Sequence, residues 1–391
     1  MVTNVLDVYD PIFYAQEALS HLQNTLGIAN RVHRGFDAER KTFNQGSIIS
    51  IRRPSKFSVQ DAPGTADNTV TDSVDITLDQ WKTVKFEMSD KELAYTGERI
   101  IAEHINPAAY AIADKIDADG HALTDGMAAT YLQPAGTLAP SDLVNMRKKL
   151  RDQGVPMDNN IHFGLDTQSE ADLLKDSEFN QHQGAGLEGV AVQNSGLLAR
   201  KYGINLFPAN NAGVTYTPGT AVDGGDRLLD VNSGAGFPIG TKTIVCTLAT
   251  TTETVLIGDQ IQFAGHDNFY TVSATATASG ADITLILKEG LQVAVADAEV
   301  ITLNGNVTQT AATVIPMFHK NWAALAFARL PDYEGRFKDA NIASIQDPLT
   351  GLAIRARMYY VGGSSAVEVA LDVLYGWKEL DSMFGCKMIT A

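Results

Sequence analysis

The stretch GSIISIRRPSKFSVQDAPGTADNTVTDSVDITLDQWKTVKFEMSD (residues 46–90) decides how this chain is built. Its first part, GSIISIRRPSKFSV (46–59), is rich in β-branched residues and is interrupted by Pro54, which reads as an extended segment. QDAPGTADNTVT (60–71) is a loop by composition, with Pro, Gly, Asp, Asn and Thr dominating. DSVDITLDQWKTVKFEMSD (72–90) then alternates Val74, Ile76 and Leu78 against Asp75, Thr77 and Asp79, the period of a returning strand. The pattern predicts a long two-stranded ribbon over 46–90. Such a ribbon does not bury both of its faces within its own subunit, so it needs something to lie on.

The ribbon is flanked by helices. Before it, PIFYAQEALSHLQNTL (11–26) places Phe13, Ala18, Leu22 and Leu26 at helical spacing, with Gly27 as a C-cap candidate. After it, SDKELAYTGERIIAEH reads as a short helix with Ser89 as a cap candidate. Asn106 then stands as N-cap and Pro107 as first helical residue of a longer one. Ala109, Ile112, Ala113, Ile116, Leu123 and Met127 share one face, which predicts a helix over 107–128, about 33 Å long at 1.5 Å per residue. A helix of that length reads as a backbone on which other parts hang.

Residues 141–207 mix helix and strand: SDLVNMRKKLRDQG ends at Gly154, and IHFGL (161–165) and YGINLFPANN (202–211) read as strands around the helix SEADLLKD. From 225 to 311 the chain becomes Thr-, Val- and Gly-rich, with strands expected at 241–248, 254–263, 268–275, 282–288 and 299–303. Short strands at regular spacing with Gly and Asp turns predict a small barrel or sandwich, inserted at surface loops. Over 351–380, Leu352, Ile354, Ala356 and Met358 alternate with Arg355, Arg357 and Tyr359. Gly362 and Gly363 turn the chain, and Val367, Val369, Leu371 and Val373 alternate with Glu368 and Asp372. This is a hairpin with one apolar face and one face on which arginines oppose acids.

The chain has 391 residues and a net charge of −16. Phosphate contacts supply most nucleic-acid affinity, so the acidic balance argues against direct recognition of DNA or RNA. The charge is uneven: residues 31–60 carry seven bases (Arg31, Arg34, Arg40, Lys41, Arg52, Arg53, Lys56) against Asp37 and Glu39, whereas 61–130 carry fourteen acids against five bases. A basic arm and an acidic body suit head-to-tail contact between copies, and equally fit two solvated faces. No apolar run is long enough to span a membrane, and MVTNVLDVYDPIFY is not the pattern of a secretory signal. Cys246 and Cys386 each sit in an apolar segment and are expected as buried thiols, so the sequon at Asn306 carries little weight.

No catalytic constellation emerges. GAGLEG (Gly184, Gly186, Gly189) matches a dinucleotide fingerprint as a string, but SEFNQHQ before it is no apolar strand, and no acid follows about twenty positions on. The histidines at 21, 33, 104, 121, 162, 182, 266 and 319 are scattered, without HExxH, CxxC or an i, i+4 pair, so neither metal nor cofactor is expected.

The order of parts resembles the Hong Kong-phage fold of tailed double-stranded DNA phage major capsid (coat) proteins. GDQIQFAG (258–265), YTVSA (270–274) and ITLILKEGL (283–291) resemble the inserted β-barrel domain of short-tailed-phage coat proteins, and DVLYGWKEL (372–380) resembles their closing segment. The resemblance implies an α+β fold with an N-terminal arm (1–45), an extended loop (46–90) and a spine-helix region (91–140). It further implies an axial domain in two parts (141–224 and 312–350), an inserted small all-β barrel (225–311) and a peripheral strand hairpin (351–391). It also implies a non-enzymatic shell subunit, assembling in the bacterial host's cytoplasm into hexamers and pentamers of an icosahedral virion capsid. The implied partners are a portal protein, a decoration protein, DNA enclosed without sequence-specific binding, and a scaffolding protein made separately, since the fold's first parts begin near residue 1. Arg52, Arg53 and Lys56 on the ribbon are the inter-subunit contact candidates, reaching acids of a neighbour. Two other classes remain at this point: a phage tail or decoration protein with a host-contacting β-module, and an enzyme holding a nucleotide at Gly184, Gly186 and Gly189.

Overall fold

The computed structural model describes residues 11–34, 48–52, 73–89, 104–133, 137–180, 194–196, 198, 200–212, 214–216, 219, 228–248, 253–266, 269–303, 312–331, 340–347, 351–363 and 365–390. The chain divides into two units: Met1–Ile116 with Ala323–Leu380, and Asp117–Trp322 with Asp381–Ala391.

In the first unit, a five-stranded antiparallel sheet is organised on the 14-residue strand Ala366–Glu379. Ala353–Val361 pairs with it from Arg355 opposite Asp372 to Val361 opposite Ala366, so the arginine-against-acid hairpin read over 351–380 is present. Ala340–Gln346 follows beyond, and Ala323–Phe327 pairs with the far end of the long strand, Phe327 opposite Tyr375. Helix Pro11–Thr25 packs on the strands Ala340–Gln346 and Ala353–Val361, burying Ala15, Ala18, Leu19 and Leu22. Gly27 is not a left-handed cap, because its φ is −93°. Side chains close this helix end instead: Thr25 Oγ1 donates to the His21 carbonyl at 2.7 Å and Asn30 Nδ2 to the Leu26 carbonyl at 2.9 Å.

The ribbon is shorter than the alternation suggests. Ile48–Arg52 pairs with Ser73–Thr77, Ile49 opposite Ile76, and 53–72 lie outside the described residues. Gln80–Ser89 leaves the ribbon after Leu78 and pairs along ten residues with Ala366–Glu379, Gln80 opposite Tyr375 and Ser89 opposite Ala366. The long strand offers this segment a full set of backbone partners, which the five-residue strand Ile48–Arg52 does not. The base of the ribbon is also not free-standing: Ile49, Ile76 and Leu78 are buried in one cluster with Ala324, Ala326 and Ala328. This approach is close enough to require glycine at 376, where a Cβ would stand 2.2 Å from the Thr77 carbonyl oxygen. Gly376→Ala should therefore cost about 1–3 kcal/mol and speed amide exchange at Ile76 and Leu78. An unchanged urea midpoint would show that the contact is dispensable.

The long helix runs over Asn106–His121, 16 residues or about 24 Å, rather than to 128. The expected face holds for Ala109, Ile112, Ala113 and Ile116, all buried. Beyond His121 the chain tightens into a 3₁₀ turn, Ala122–Gly126, and Met127 is extended. Asn106 is not the N-cap, since His104 and Ile105 already form a wider helical turn and its buried Oδ1 has no hydrogen-bond partner among the described residues.

In the second unit, a mixed sheet runs in the order Ala129–Leu132, Gly385–Thr390, Ala312–His319, Ile161–Leu165, Asn205–Pro208, and Val214–Tyr216 also pairs with Ala312–His319. The first pair and the Ile161–Leu165 pair with Asn205–Pro208 are parallel. Helix Pro140–Asp152 buries Leu143, Met146 and Leu150 in the same core as Phe163, Met317 and Met388. Asp142 fixes that helix's start by accepting from the Ala139 N–H at 2.9 Å, and Asp166 does the same for Thr167–Lys175 through Ser169 N–H at 3.0 Å. The segments read as 312–350 and 351–391 are each divided between the units, at Trp322 and at Leu380.

A second six-stranded sheet lies in this unit, in the order Phe269–Thr271, Gln260–Phe263, Val300–Leu303, Leu228–Val231, Thr243–Thr247, Asp282–Ile286. Its two outer strands meet through a bridge between Val272 and Leu287, with Ser273 N–H on the Ile286 carbonyl and Lys288 N–H on the Thr271 carbonyl. The sheet thereby closes on itself around Leu229, Ile244, Cys246, Ile261, Phe263, Tyr270, Ile283, Leu285 and Ile301. Leu228–Val231 was not expected as a strand; four residues with two adjacent leucines carry no alternation to read.

Candidate functional surface

The first unit presents a ladder of charged side chains across three adjacent strands. Alternation places Arg355, Arg357 and Tyr359 on one face, and antiparallel register sets Asp372 opposite Arg355 and Glu368 opposite Tyr359. Asp372 is fully buried and accepts from both arginines: Arg355 Nη2 at 2.6 Å and Nε at 3.0 Å, and Arg357 Nη2 at 2.9 Å. Burial alone would push the Asp372 carboxyl up. Hydrogen bonds from Arg357, Thr83 and Arg355 outweigh it and hold the group below the usual carboxylate range. Further along, Lys85 Nζ lies 3.0 Å from Glu368, and Tyr359 donates to the same carboxylate. Those two contacts, Tyr359 first, hold Glu368 low, and Glu368 in turn raises Lys85 and Tyr359. The hairpin read from sequence contains five of these seven residues; Thr83 and Lys85 enter only because Gln80–Ser89 joins the sheet.

That added strand is itself an exposed surface. Of the residues in Gln80–Ser89 whose side chains are described, none is buried, and Trp81 is 61% exposed. A long strand with so much exposed side chain is normally blunted or covered. Of the candidates on the ribbon, Arg52 closes the strand Ile48–Arg52 opposite Ser73, while its side chain, Arg53 and Lys56 lie outside the described residues. The same holds for Gly184, Gly186 and Gly189.

The second unit holds a buried polar junction. Where the 3₁₀ turn ends, three successive carbonyls are taken up by side chains: Asp125 O by Lys387 Nζ at 3.0 Å, Gly126 O by Lys288 Nζ at 3.3 Å, and Met127 O by Thr271 Oγ1 at 3.0 Å. Lys387 is fully buried and also donates to the Gly258 carbonyl, so one ammonium joins the terminal strand, the turn and the closed sheet. Burial pushes the Asp125 carboxyl up, against the pull of Lys387, and burial lowers His121 to about 4, leaving its imidazole neutral at pH 7. Asp259 is buried too, accepting from Leu256 N–H at 2.8 Å and Gly219 N–H at 3.0 Å, which accounts for Asp in GDQIQFAG. Lys387 went unnoticed in the sequence; the available signal is a lone lysine inside the apolar strand GCKMIT. Cys246 and Cys386 are free and buried, each thiol pushed up to about 12 by burial. Among the described residues no group of three or more His, Cys, Asp or Glu could hold a metal ion, and no helix is long and apolar enough to cross a membrane.

No family model and no curated protein matches this sequence. Its shape does find relatives. A structure of Mycobacterium phage Che8 superposes with a TM-score of 0.50 at 12% identity, over 93% of this chain and 90% of that one. The fold along most of the chain is therefore shared with that phage structure. Weaker likenesses are to the capsid structure of the cyanophage P-SCSP1u (TM-score 0.44, 9% identity, 88% of this chain and 83% of that one). The bacteriophage PhiM1 mature capsid is comparable (TM-score 0.43, 10% identity, 88% and 82%).

Proposed function

We propose that this chain is the major capsid protein of a tailed double-stranded DNA phage, a structural subunit whose copies form the icosahedral shell of the virion. The observation that carries this reading is the fold shared with a structure of Mycobacterium phage Che8 along 93% of the chain. A fold alone does not fix a function, but this one is accompanied by features that suit assembly. They are a sheet held by a buried ion cluster, an edge strand with a 61% exposed Trp81, and a ribbon whose base is anchored in a buried cluster. In this reading the copies group as hexamers and pentamers in the host cytoplasm, helped by a separate scaffolding protein and a portal protein, and DNA is enclosed without base recognition. The closed sheet over 228–303 corresponds to the inserted barrel, and Asn106–His121 to the spine helix.

Electron microscopy of the protein expressed with and without its scaffold tests the reading: closed shells or ring-shaped capsomers are expected, and tubes or isolated trimers would point to a tail or decoration protein instead. Within it, Arg52, Arg53 and Lys56 meet acids of a neighbouring copy. Many modest contacts repeated around a closed shell sum to a large stability. Arg52→Glu with Arg53→Glu should give shells that fall apart at lower salt than the parent. Shells of normal size and salt resistance would remove these residues from the interface.

A further inference from the structure

A basic strip in the second unit stands out against the −16 charge of the chain. Helix Pro140–Asp152 carries Arg147 and Arg151 one turn apart, and residues 200–205 bring Arg200 to the same place. The local geometry explains how. Lys201 and Ile204 exchange both backbone hydrogen bonds around Tyr202 (φ 52°) and Gly203 (φ 78°), a two-residue turn in which both central residues are left-handed. Tyr202 is held in that conformation by its OH on Glu178 at 2.7 Å and by an edge-on ring contact with Phe179. With no side chain at Gly203, two guanidinium groups close on one point: Arg147 Nη2 lies 3.4 Å and Arg200 Nη2 3.9 Å from where a Cβ would be.

Two like charges brought together repel unless an anion stands between them. The acids nearby are engaged elsewhere: Asp152 by Lys148 at 3.3 Å, Asp158 by Asn160 and by His319 at 3.2 Å, Asp176 by the Glu178 N–H at 2.8 Å, and Glu178 by Tyr202. Among the described residues, Arg147 and Arg151 have no acidic partner, and Arg200 donates only to Asn159 Oδ1, at 2.6 Å. The Asn159 and Asn205 amides lie beside the same turn, with Asn205 Nδ2 on the Asn159 carbonyl and Asn159 Oδ1 accepting from Arg200. Arginines with neutral amide donors beside them are the usual equipment for phosphodiester oxygens, and guanidinium groups fit phosphate as a fork.

We propose that Arg147, Arg151 and Arg200 form a contact for the phosphate backbone of double-stranded DNA, independent of base sequence. The identity of the anion rests on the shell reading, in which DNA is the polyanion that the wall meets at high concentration. Three contacts on an otherwise acidic chain give a weak, salt-labile hold, compatible with a wall that touches DNA without fixing it.

The test uses unassembled full-length subunits and a labelled DNA duplex, read by fluorescence anisotropy across a salt series. Three phosphate contacts predict a slope of log K against log salt of about −2.7, or about 40-fold weaker binding for a fourfold rise in salt. Arg147→Glu with Arg200→Glu should bring the slope to about −0.9 or abolish binding, while Arg147→Lys with Arg200→Lys keeps it. If the glutamate pair does not fold, Arg147→Gln with Arg200→Gln serves in its place, folding being checked by circular dichroism. Binding that is absent in the parent, or a slope the folded variants leave unchanged, overturns the proposal. So does poly-glutamate displacing the probe as well as unlabelled duplex does at equal charge, which would assign the strip to an acidic protein segment. Failure of the shell reading is seen separately, as absence of shells or capsomers by microscopy.

Discussion

Replacing Asp372 with asparagine or alanine is expected to destabilise the first unit by about 3–5 kcal/mol, the scale for removing one partner from a buried ion cluster. The carboxylate has no solvent exposure, and Arg355 has 7%, so the substitution leaves a guanidinium buried with only the Pro331 carbonyl near it at 3.4 Å. Arg357 is less enclosed, because 24% of its side chain reaches solvent, and it should recover part of its hydration. The cluster also sets a pH dependence. Asp372 is held below its unfolded value of 3.8, so its contribution is complete above that value and is lost as pH falls through the lower folded value. Thermal unfolding followed between pH 7 and pH 2 should therefore show an acid-side fall in the parent that is shallower in Asp372→Asn. A variant whose melting temperature matches the parent at pH 7, or whose acid slope is unchanged, would show that the arginines find other partners. The double replacement of Arg355 and Asp372 by apolar residues of similar volume should cost less than Asp372→Ala alone, because it leaves no buried charge behind.

Which parts of this architecture a sequence announces follows from where the stabilising contacts lie along the chain. The hairpin over 351–380 was legible because its partners are a few residues apart: alternation names the faces, two glycines make the turn, and Arg355 finds Asp372 across a short connection. The face Ala109, Ile112, Ala113, Ile116 was legible for the same local reason. What misled was non-local. Gln80–Ser89 alternates as well as the ribbon strand before it, yet its partner lies nearly three hundred residues on, and nothing in a period-two pattern says which strand is met. The helix gives way at His121 to the turn Ala122–Gly126, whose carbonyls at 125 and 126, with that of Met127, accept from Lys387, Lys288 and Thr271, donors that come from distant segments. The closed sheet was visible as short strands with turns, but its closure through Val272 and Leu287 is a matter of register that spacing does not record. The basic strip was hidden twice over, by an acidic total and by a meeting at Gly203 of residues from two elements.

Lys387→Ala should be about as damaging in the second unit as the loss of Asp372 in the first. A fully buried ammonium is tolerated only where its donors are met, and here the Asp125 and Gly258 carbonyls meet two of them. Truncation to alanine orphans both carbonyls at about 1–3 kcal/mol each and leaves the space of three methylenes and an ammonium beside them, so a loss of about 3–5 kcal/mol is expected. Lys387→Met separates the causes: it restores most of the packing and removes the buried charge, but supplies no donor, so about 1–3 kcal/mol should remain lost. The location of the effect distinguishes a junction residue from an ordinary core residue. Because Lys387 joins the terminal strand to the turn Ala122–Gly126 and to the closed sheet, amide exchange in both variants should quicken at Gly258, Asp259 and Met127. The cluster of Leu143, Met146 and Phe163 should keep its protection in Lys387→Met. Loss of protection spread evenly through the unit would mean that the lysine supports the core as a whole, and an alanine variant as stable as methionine would mean that the two carbonyls are satisfied without it.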